Sequence, residues 1–120
     1  MPESDTFQSY ISGVVRGCFA AYETQDRALI ESLIAADFRF SSPLDDRIDR
    51  AAYFARCWPN AGTFRSLTVE KIFTQGDEAF VQYVGETKAG KRFRNVERHR
   101  VGGGKLVEVD VYFGRTLAEG

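Results

Sequence analysis

Residues 92–114 read Arg92-Phe93-Arg94-Asn95-Val96-Glu97-Arg98-His99-Arg100-Val101-Gly102-Gly103-Gly104-Lys105-Leu106-Val107-Glu108-Val109-Asp110-Val111-Tyr112-Phe113-Gly114. Before the glycines, arginines occupy positions 92, 94, 98 and 100, and Phe93, Asn95, Glu97, His99 and Val101 occupy the odd ones. After them, Val107, Val109, Val111 and Phe113 are odd, and Leu106, Glu108, Asp110 and Tyr112 are even. Two-residue alternation on both sides of a glycine turn predicts an antiparallel hairpin. Pairing Val101 with Lys105 puts the odd residues of both strands on one face and Arg98 opposite Glu108, so apolar meets apolar and cation meets anion. Asn95, Glu97 and His99 then face inward with the valines, where polar groups need partners or a purpose.

The same period extends upstream to Arg65. Strands are predicted at 66–75, 78–88, 91–101 and 105–113, separated by Gln75-Gly76-Asp77, Ala89-Gly90 and the three glycines. In 78–88, Val81 and Tyr83 alternate with Phe80, Gln82 and Val84, which leaves both facings open. The first half of the chain has helical spacing instead. Phe7, Tyr10, Ile11, Val14, Val15, Cys18, Phe19 and Tyr22 predict a long amphipathic helix capped by Ser4 or Asp5. Asp26 is expected to cap a second helix carrying Leu29, Ile30, Leu33 and Ile34 and ending near Ala36. A short strand at 38–42 is stopped by Pro43, and Asp49 caps a third helix with Ala52, Tyr53, Phe54, Cys57 and Trp58, closed by a turn at 58–62. Helices first and a strand meander afterwards predict one α+β domain over 1–120, without repeat or linker.

Composition excludes several function classes. The 120 residues carry 16 Lys+Arg, 17 Asp+Glu and one His, a net charge of -1, which argues against a nucleic-acid binder. Ten Phe and five Tyr within 43% hydrophobic residues suffice for one core. A His-rich zinc site cannot be built from one His, Cys18 and Cys57 have no ligand spacing, and a Ser-His-Asp triad could use only His99. The two cysteines are read as reduced packing thiols. No run of eighteen apolar residues occurs and the first ten residues are polar and acidic, so a soluble, cytoplasmic protein without membrane contact is expected.

The layout resembles the nuclear transport factor 2-like superfamily in its SnoaL-like branch. The resemblance covers nearly the whole chain and is most specific over 96–114, a hydrophobic strand, a Gly-Lys turn and a strand ending in Tyr112-Phe113-Gly114. It implies a cone-shaped curved sheet wrapped around the long first helix, with two shorter helices, an internal pocket, and homodimerisation through the outer sheet face. Arg94, Arg98, Arg100, Glu108 and Asp110 would lie on that face, whose alternative reading is a solvated surface stitched by cross-strand pairs.

The chain is also similar to ketosteroid isomerases. Their general base falls at Ser42, which cannot take a carbon-bound proton at neutral pH, and their tyrosine donor falls at Cys18, with Tyr22 one turn later. Their protonated acid falls at Glu97, with apolar neighbours at Val109, Val111 and Phe113. SnoaL-type cyclases, which resemble the final strands more closely, use an acid and a nearby His without metal or cofactor. Glu97 and His99 would be that pair, about 7 Å apart on one strand face and flanking a small apolar carbonyl compound without touching. Asn95 or Tyr22 would hold its oxygen. Phe40, Ser42, Phe54 and Trp58 complete the expected ligand-binding set with Cys18, Tyr22, Asn95, Val109, Val111 and Phe113. An epoxide hydrolase of this fold needs an Asp-Arg-Asp set, and no arginine falls on the inward pattern. Two other readings stay open: a noncatalytic ligand-binding or association module, and a dimer whose cone is plugged by Phe38, Phe40, Tyr53, Phe54 and Trp58.

Overall fold

A computed structural model describes residues 2–117, with side chains from Phe7 onward. The first helix, α1 (Pro2–Thr24), begins ahead of the expected cap, and the side chains of Ser4 and Asp5 lie outside the described residues. Helix α2 (Arg27–Leu33) is capped as predicted, the Asp26 carboxylate accepting from the Leu29 N–H at 3.0 Å. It ends earlier than expected. Ile34 is already extended and pairs with Leu106, so a buried position that continues the helical stripe is taken by the sheet instead. Strand β1 (Ile34–Ser42) therefore starts before 38, and β2 (Asp45–Asp49) follows it as an unpredicted edge strand. Its sequence, Asp45-Asp46-Arg47-Ile48-Asp49, lacks the apolar alternation that marks a strand and has the charge that protects a sheet edge.

Asp49 caps α3 (Arg50–Arg56), accepting from the Ala52 N–H at 2.9 Å, and the expected turn is a 3₁₀ segment, Trp58–Thr63. Strands β3 (Phe64–Gln75), β4 (Glu78–Thr87), β5 (Arg92–Gly102) and β6 (Lys105–Leu117) complete a six-stranded mixed sheet in the order β2-β1-β6-β5-β4-β3. Among the described strands only β1 and β6 are parallel neighbours. Register shifts in β1, β3, β5 and β6 bend the sheet. Ile11, Val14, Val15, Cys18 and Phe19 of α1 form the core with Val81, Tyr83, Val101, Leu106, Val109 and Val111. The facing of β4 is thereby fixed, with Ala79, Val81, Tyr83 and Gly85 inward and Phe80 and Gln82 outward.

The hairpin register differs from the expected one. Gly102 faces Lys105 and Val101 faces Leu106, and a bulge then sets Arg100 opposite Glu108, His99 opposite Val109 and Glu97 opposite Val111. The bulge lies beside Val107, so Leu106, not Val107, is the buried residue there. Because the slip amounts to two positions beyond the bulge, odd residues still share a face. Arg98 stands opposite Asp110, yet its guanidinium reaches diagonally to Glu108 at 2.7 Å, so the expected pairing of charge survives.

Candidate active site

The concave side of the sheet and α1 enclose a half-open cavity of about 490 Å³. Strand β5 supplies its polar centre. His99 is 2% exposed, and its Nε2 lies 2.8 Å from Oε1 of Glu97, so the two side chains form a contacting pair. This corrects the expectation of separated flanking groups: both face inward, and their side chains converge across the residue between them. Nδ1 of His99 is buried without a hydrogen-bond partner among the described residues. A ring of Phe19 stacks on the imidazole at 5.9 Å and fixes its plane.

Asn95, buried next on the same face, is engaged structurally. Its amide N–H donates to the Tyr83 hydroxyl at 3.3 Å, and its carbonyl accepts the Gly114 N–H at 3.0 Å. Asn95 thus pins the bulge at which β6 carries an extra residue against β5, between the Asn95–Phe113 and Phe93–Thr116 pairs. Gly114 is required there, because a Cβ would stand 1.9 Å from the Arg94 carbonyl oxygen. The glycine of the Tyr112-Phe113-Gly114 signature is therefore a close-approach residue.

Of the remaining expected residues, Cys18, Tyr22, Phe40, Ser42, Val109, Val111 and Phe113 line the cavity with Asn95, Glu97 and His99. Phe113 stands at its rim, 54% exposed, where the bulge ends regular pairing. Phe54 and Trp58 do not line it. Phe54 packs on Tyr53 beneath the guanidiniums of Arg27 and Arg50, and Trp58 meets the ring edge of Tyr22 from outside. The aromatic cluster built on Phe38 and Tyr53 closes one side of the cone without filling it, so the plugged-core expectation is not met.

Two features escaped the sequence reading. Asp45, on the unpredicted β2, contributes a carboxylate to the wall beside Ser42. The Ser42 hydroxyl donates to Oδ2 at 3.2 Å, and Arg56 pairs with Oδ1 at 2.7 Å. Arg115 also lines the cavity, contrary to the absence of inward arginines, because β6 runs on to Leu117.

The cavity's phenols and thiols are held protonated. Tyr22 and Tyr53 share a short hydroxyl contact, and burial pushes both well above the usual tyrosine range. Tyr83 is raised by burial first and then by the Glu97 charge. The Cys18 thiol is pushed up to about 12 by burial and next by Glu97, and the half-buried Cys57 up to about 11, mainly by burial. Stability from the neutral Cys18 thiol is complete below the unfolded value of 9.0 and is lost as pH rises toward about 12. At pH 8, native Cys18 should react with iodoacetamide at least about tenfold more slowly than an unperturbed thiol, because burial holds it as the unreactive thiol. Mass spectrometry of timed quenches reads this, and labelling at the free-thiol rate contradicts it.

The sequence profile of the SnoaL-like domain matches residues 15–109. The chain belongs to the SnoaL-like domain family. No curated protein sequence gives a match. Among solved structures, this SnoaL-like domain is similar to a candidate ketosteroid isomerase of Kribbella flavida DSM 17836, with 20% identity over 92% of this chain and 82% of the other, at a TM-score of 0.78. A candidate polyketide cyclase of Streptomyces antibioticus, IdmH, is 22% identical over 84% of this chain and 89% of its own, at 0.67. An LEH-like epoxide hydrolase of M. tuberculosis is 14% identical over 88% and 79%, at 0.74. These likenesses establish the α+β fold with its curved sheet. No described helix is long and apolar enough to cross a membrane.

Proposed function

We propose that this SnoaL-like domain binds a small apolar carbonyl compound and moves a proton on it without a cofactor, in the manner of an isomerase or cyclase. The carrying observation is the contact between Glu97 and His99 inside the cavity. The Glu97 carboxylate takes a proton from the carbon next to the carbonyl, and the electron pair of the C–H bond moves into an enolate. Nε2–H of His99 donates to the carboxylate at 2.8 Å and holds it in place, and Glu97 then returns the proton to another carbon, which balances an isomerisation. In a ring closure the enolate carbon attacks a second carbonyl, whose oxygen takes the proton. Tyr22 is the donor for the enolate oxygen: one hydrogen bond joins it to Tyr53, so one of the two hydroxyl hydrogens is free. Asn95 serves less well, since its amide nitrogen is engaged by Tyr83 and its carbonyl by the bulge. The partnerless Nδ1 of His99 also supports a ligand, because buried polar atoms are normally satisfied. The noncatalytic reading keeps the ligand and drops the transfer.

2-Tetralone is a suitable probe, being apolar, bicyclic and enolisable. Intermolecular NMR contacts from its methylene protons to the Val109 and Val111 methyls are expected; contacts restricted to Phe73 or Phe80, exposed outside the cavity, contradict the reading.

Association of two copies through the outer sheet face belongs to the same proposal. Arg98 there pairs with Glu78 at 2.6 Å and Glu108 at 2.7 Å, and Arg94 with Glu70 at 2.8 Å. Amid these satisfied charges, Phe73 and Phe80 face each other across β3 and β4, and Tyr112 stands two strands from Phe80 on β6, all exposed. Such an aromatic patch supports burial against a second copy. Sedimentation should give a dimer whose dissociation constant rises at least about tenfold in Phe80→Glu. A monomeric wild type overturns this. Arg98→Glu is the weaker test, since it also breaks ion pairs within the chain.

A further inference from the structure

One end of the cavity has a charge that proton transfer at Glu97 does not use. Lys91, before β5, and Arg115, near the end of β6, both line it, and Phe93, two residues after Lys91, pairs directly with Thr116, which follows Arg115. Both cations are exposed at the rim. Neither the Lys91 ammonium nor the Arg115 guanidinium has an acidic partner among the described residues. The cavity's two carboxylates do not serve them: Asp45 is held by Arg56 and Glu97 by His99. Nearby Glu86 is paired with Arg65 at 2.9 Å.

The placement of Arg115 is built into the backbone. The bulge pinned by Asn95 and permitted by Gly114 lets both Arg115 and Thr116 border the cavity, where a regular strand would turn one of them away. Between this rim and the Glu97–His99 pair the wall is mainly apolar, with Phe93, Val111 and Phe113 around the hydrogen-bonded amide of Asn95. Cation, mainly apolar wall and acid–base pair thus follow one another along the β5–β6 hairpin. Val111 faces Glu97 and Thr116 faces Phe93, so the bulge takes up one residue of β6 and Arg115 lies about three strand steps beyond Val111, roughly 10 Å at about 3.3 Å per residue.

We infer that the ligand of this cavity is an apolar carbonyl compound carrying a carboxylate roughly 10 Å from its reacting carbon, with the carboxylate held at the rim by Lys91 and Arg115. This rests on the reading of the cavity as a small-molecule site and names the class of molecule it takes. The guanidinium offers a planar fork that matches a carboxylate, and the ammonium adds a second charge. A headgroup fixed at the rim sets the depth of the ligand, so that one carbon stops beside Glu97.

The test compares 5-phenylpentanoic acid with 5-phenylpentan-1-ol, which share the apolar body and differ in the headgroup. Binding to wild type and to the double variant Lys91→Gln, Arg115→Gln is followed by NMR titration at low and high salt. Both positions are exposed, so the variant is expected to keep its fold, and its spectrum checks this. The acid should bind wild type about tenfold more tightly than the alcohol, the preference should shrink with salt, and the double variant should bind the two alike. Equal affinities in wild type, or a preference that survives in the double variant, overturn the inference and leave the apolar site standing. If neither compound moves the cavity resonances, the inference falls together with the small-molecule reading.

Discussion

Glu97→Gln is expected to slow exchange of the α-protons of 2-tetralone into D2O by about a hundred- to ten-thousandfold relative to wild type, the range of a positioned acid–base group. The substitution keeps the size of the side chain and its ability to hydrogen-bond Nε2 of His99, but an amide cannot take a proton from carbon. Fold and binding should be retained, so KM moves little and kcat carries the loss. His99→Gln should cost less, since the carboxylate remains and only its partner is lost. Proton NMR of the ketone reads the exchange directly. A Glu97→Gln protein that exchanges as fast as wild type leaves the ligand-binding module as the reading of this fold.

Gly114→Ala should destabilise the protein by about 3 to 5 kcal/mol, placing it in the tail of point substitutions. Its Cβ would stand 1.9 Å from the Arg94 carbonyl oxygen, and relief requires opening the β5–β6 bulge that Asn95 clamps. For a domain of this size the loss corresponds to a fall in Tm of roughly 10 to 20 °C. Thermal unfolding followed by circular dichroism measures it. A fall under about 3 °C would show that the strands part easily there and that the bulge is not a fixed element.

The sequence was legible where one physical pattern dominated. Alternation over 92–113 placed Asn95, Glu97 and His99 inside and the arginines outside, and side-chain parity survived a register error of two positions. Cap residues Asp26 and Asp49 marked two helix starts because each offers a carboxylate to a free N–H. Legibility failed where tertiary pairing overrode local pattern. Ile34 suits both a helical stripe and an inward strand position, and only its pairing with Leu106 decides. Strand β2 has no apolar signature, so Asp45 reached the cavity unannounced. Arg115 was missed because the strand was ended at Phe113, although odd-position alternation carried further would have pointed it inward.

Contact between Glu97 and His99 could not be read from strand geometry, which fixes Cβ positions two residues apart but not the rotamers that close the gap. The same holds for Phe54 and Trp58. Their spacing identifies a buried helical face, but whether that face meets the cavity or its outer packing depends on how α3 lies on β1 and β2. The cavity itself is a property of the bent sheet, which owes its curvature to bulges at positions that carry little sequence signal beyond Gly114.

The central claim is that an apolar ketone enters this cavity and loses a proton there. The direct measurement is α-proton exchange of 2-tetralone in D2O with wild-type protein against buffer, with 2-methylnaphthalene added as a competitor that fills the cavity but cannot enolise. The account predicts acceleration that saturates with ketone concentration and is suppressed by the competitor. A rate equal to that of buffer, or one that rises linearly and ignores the competitor, contradicts it.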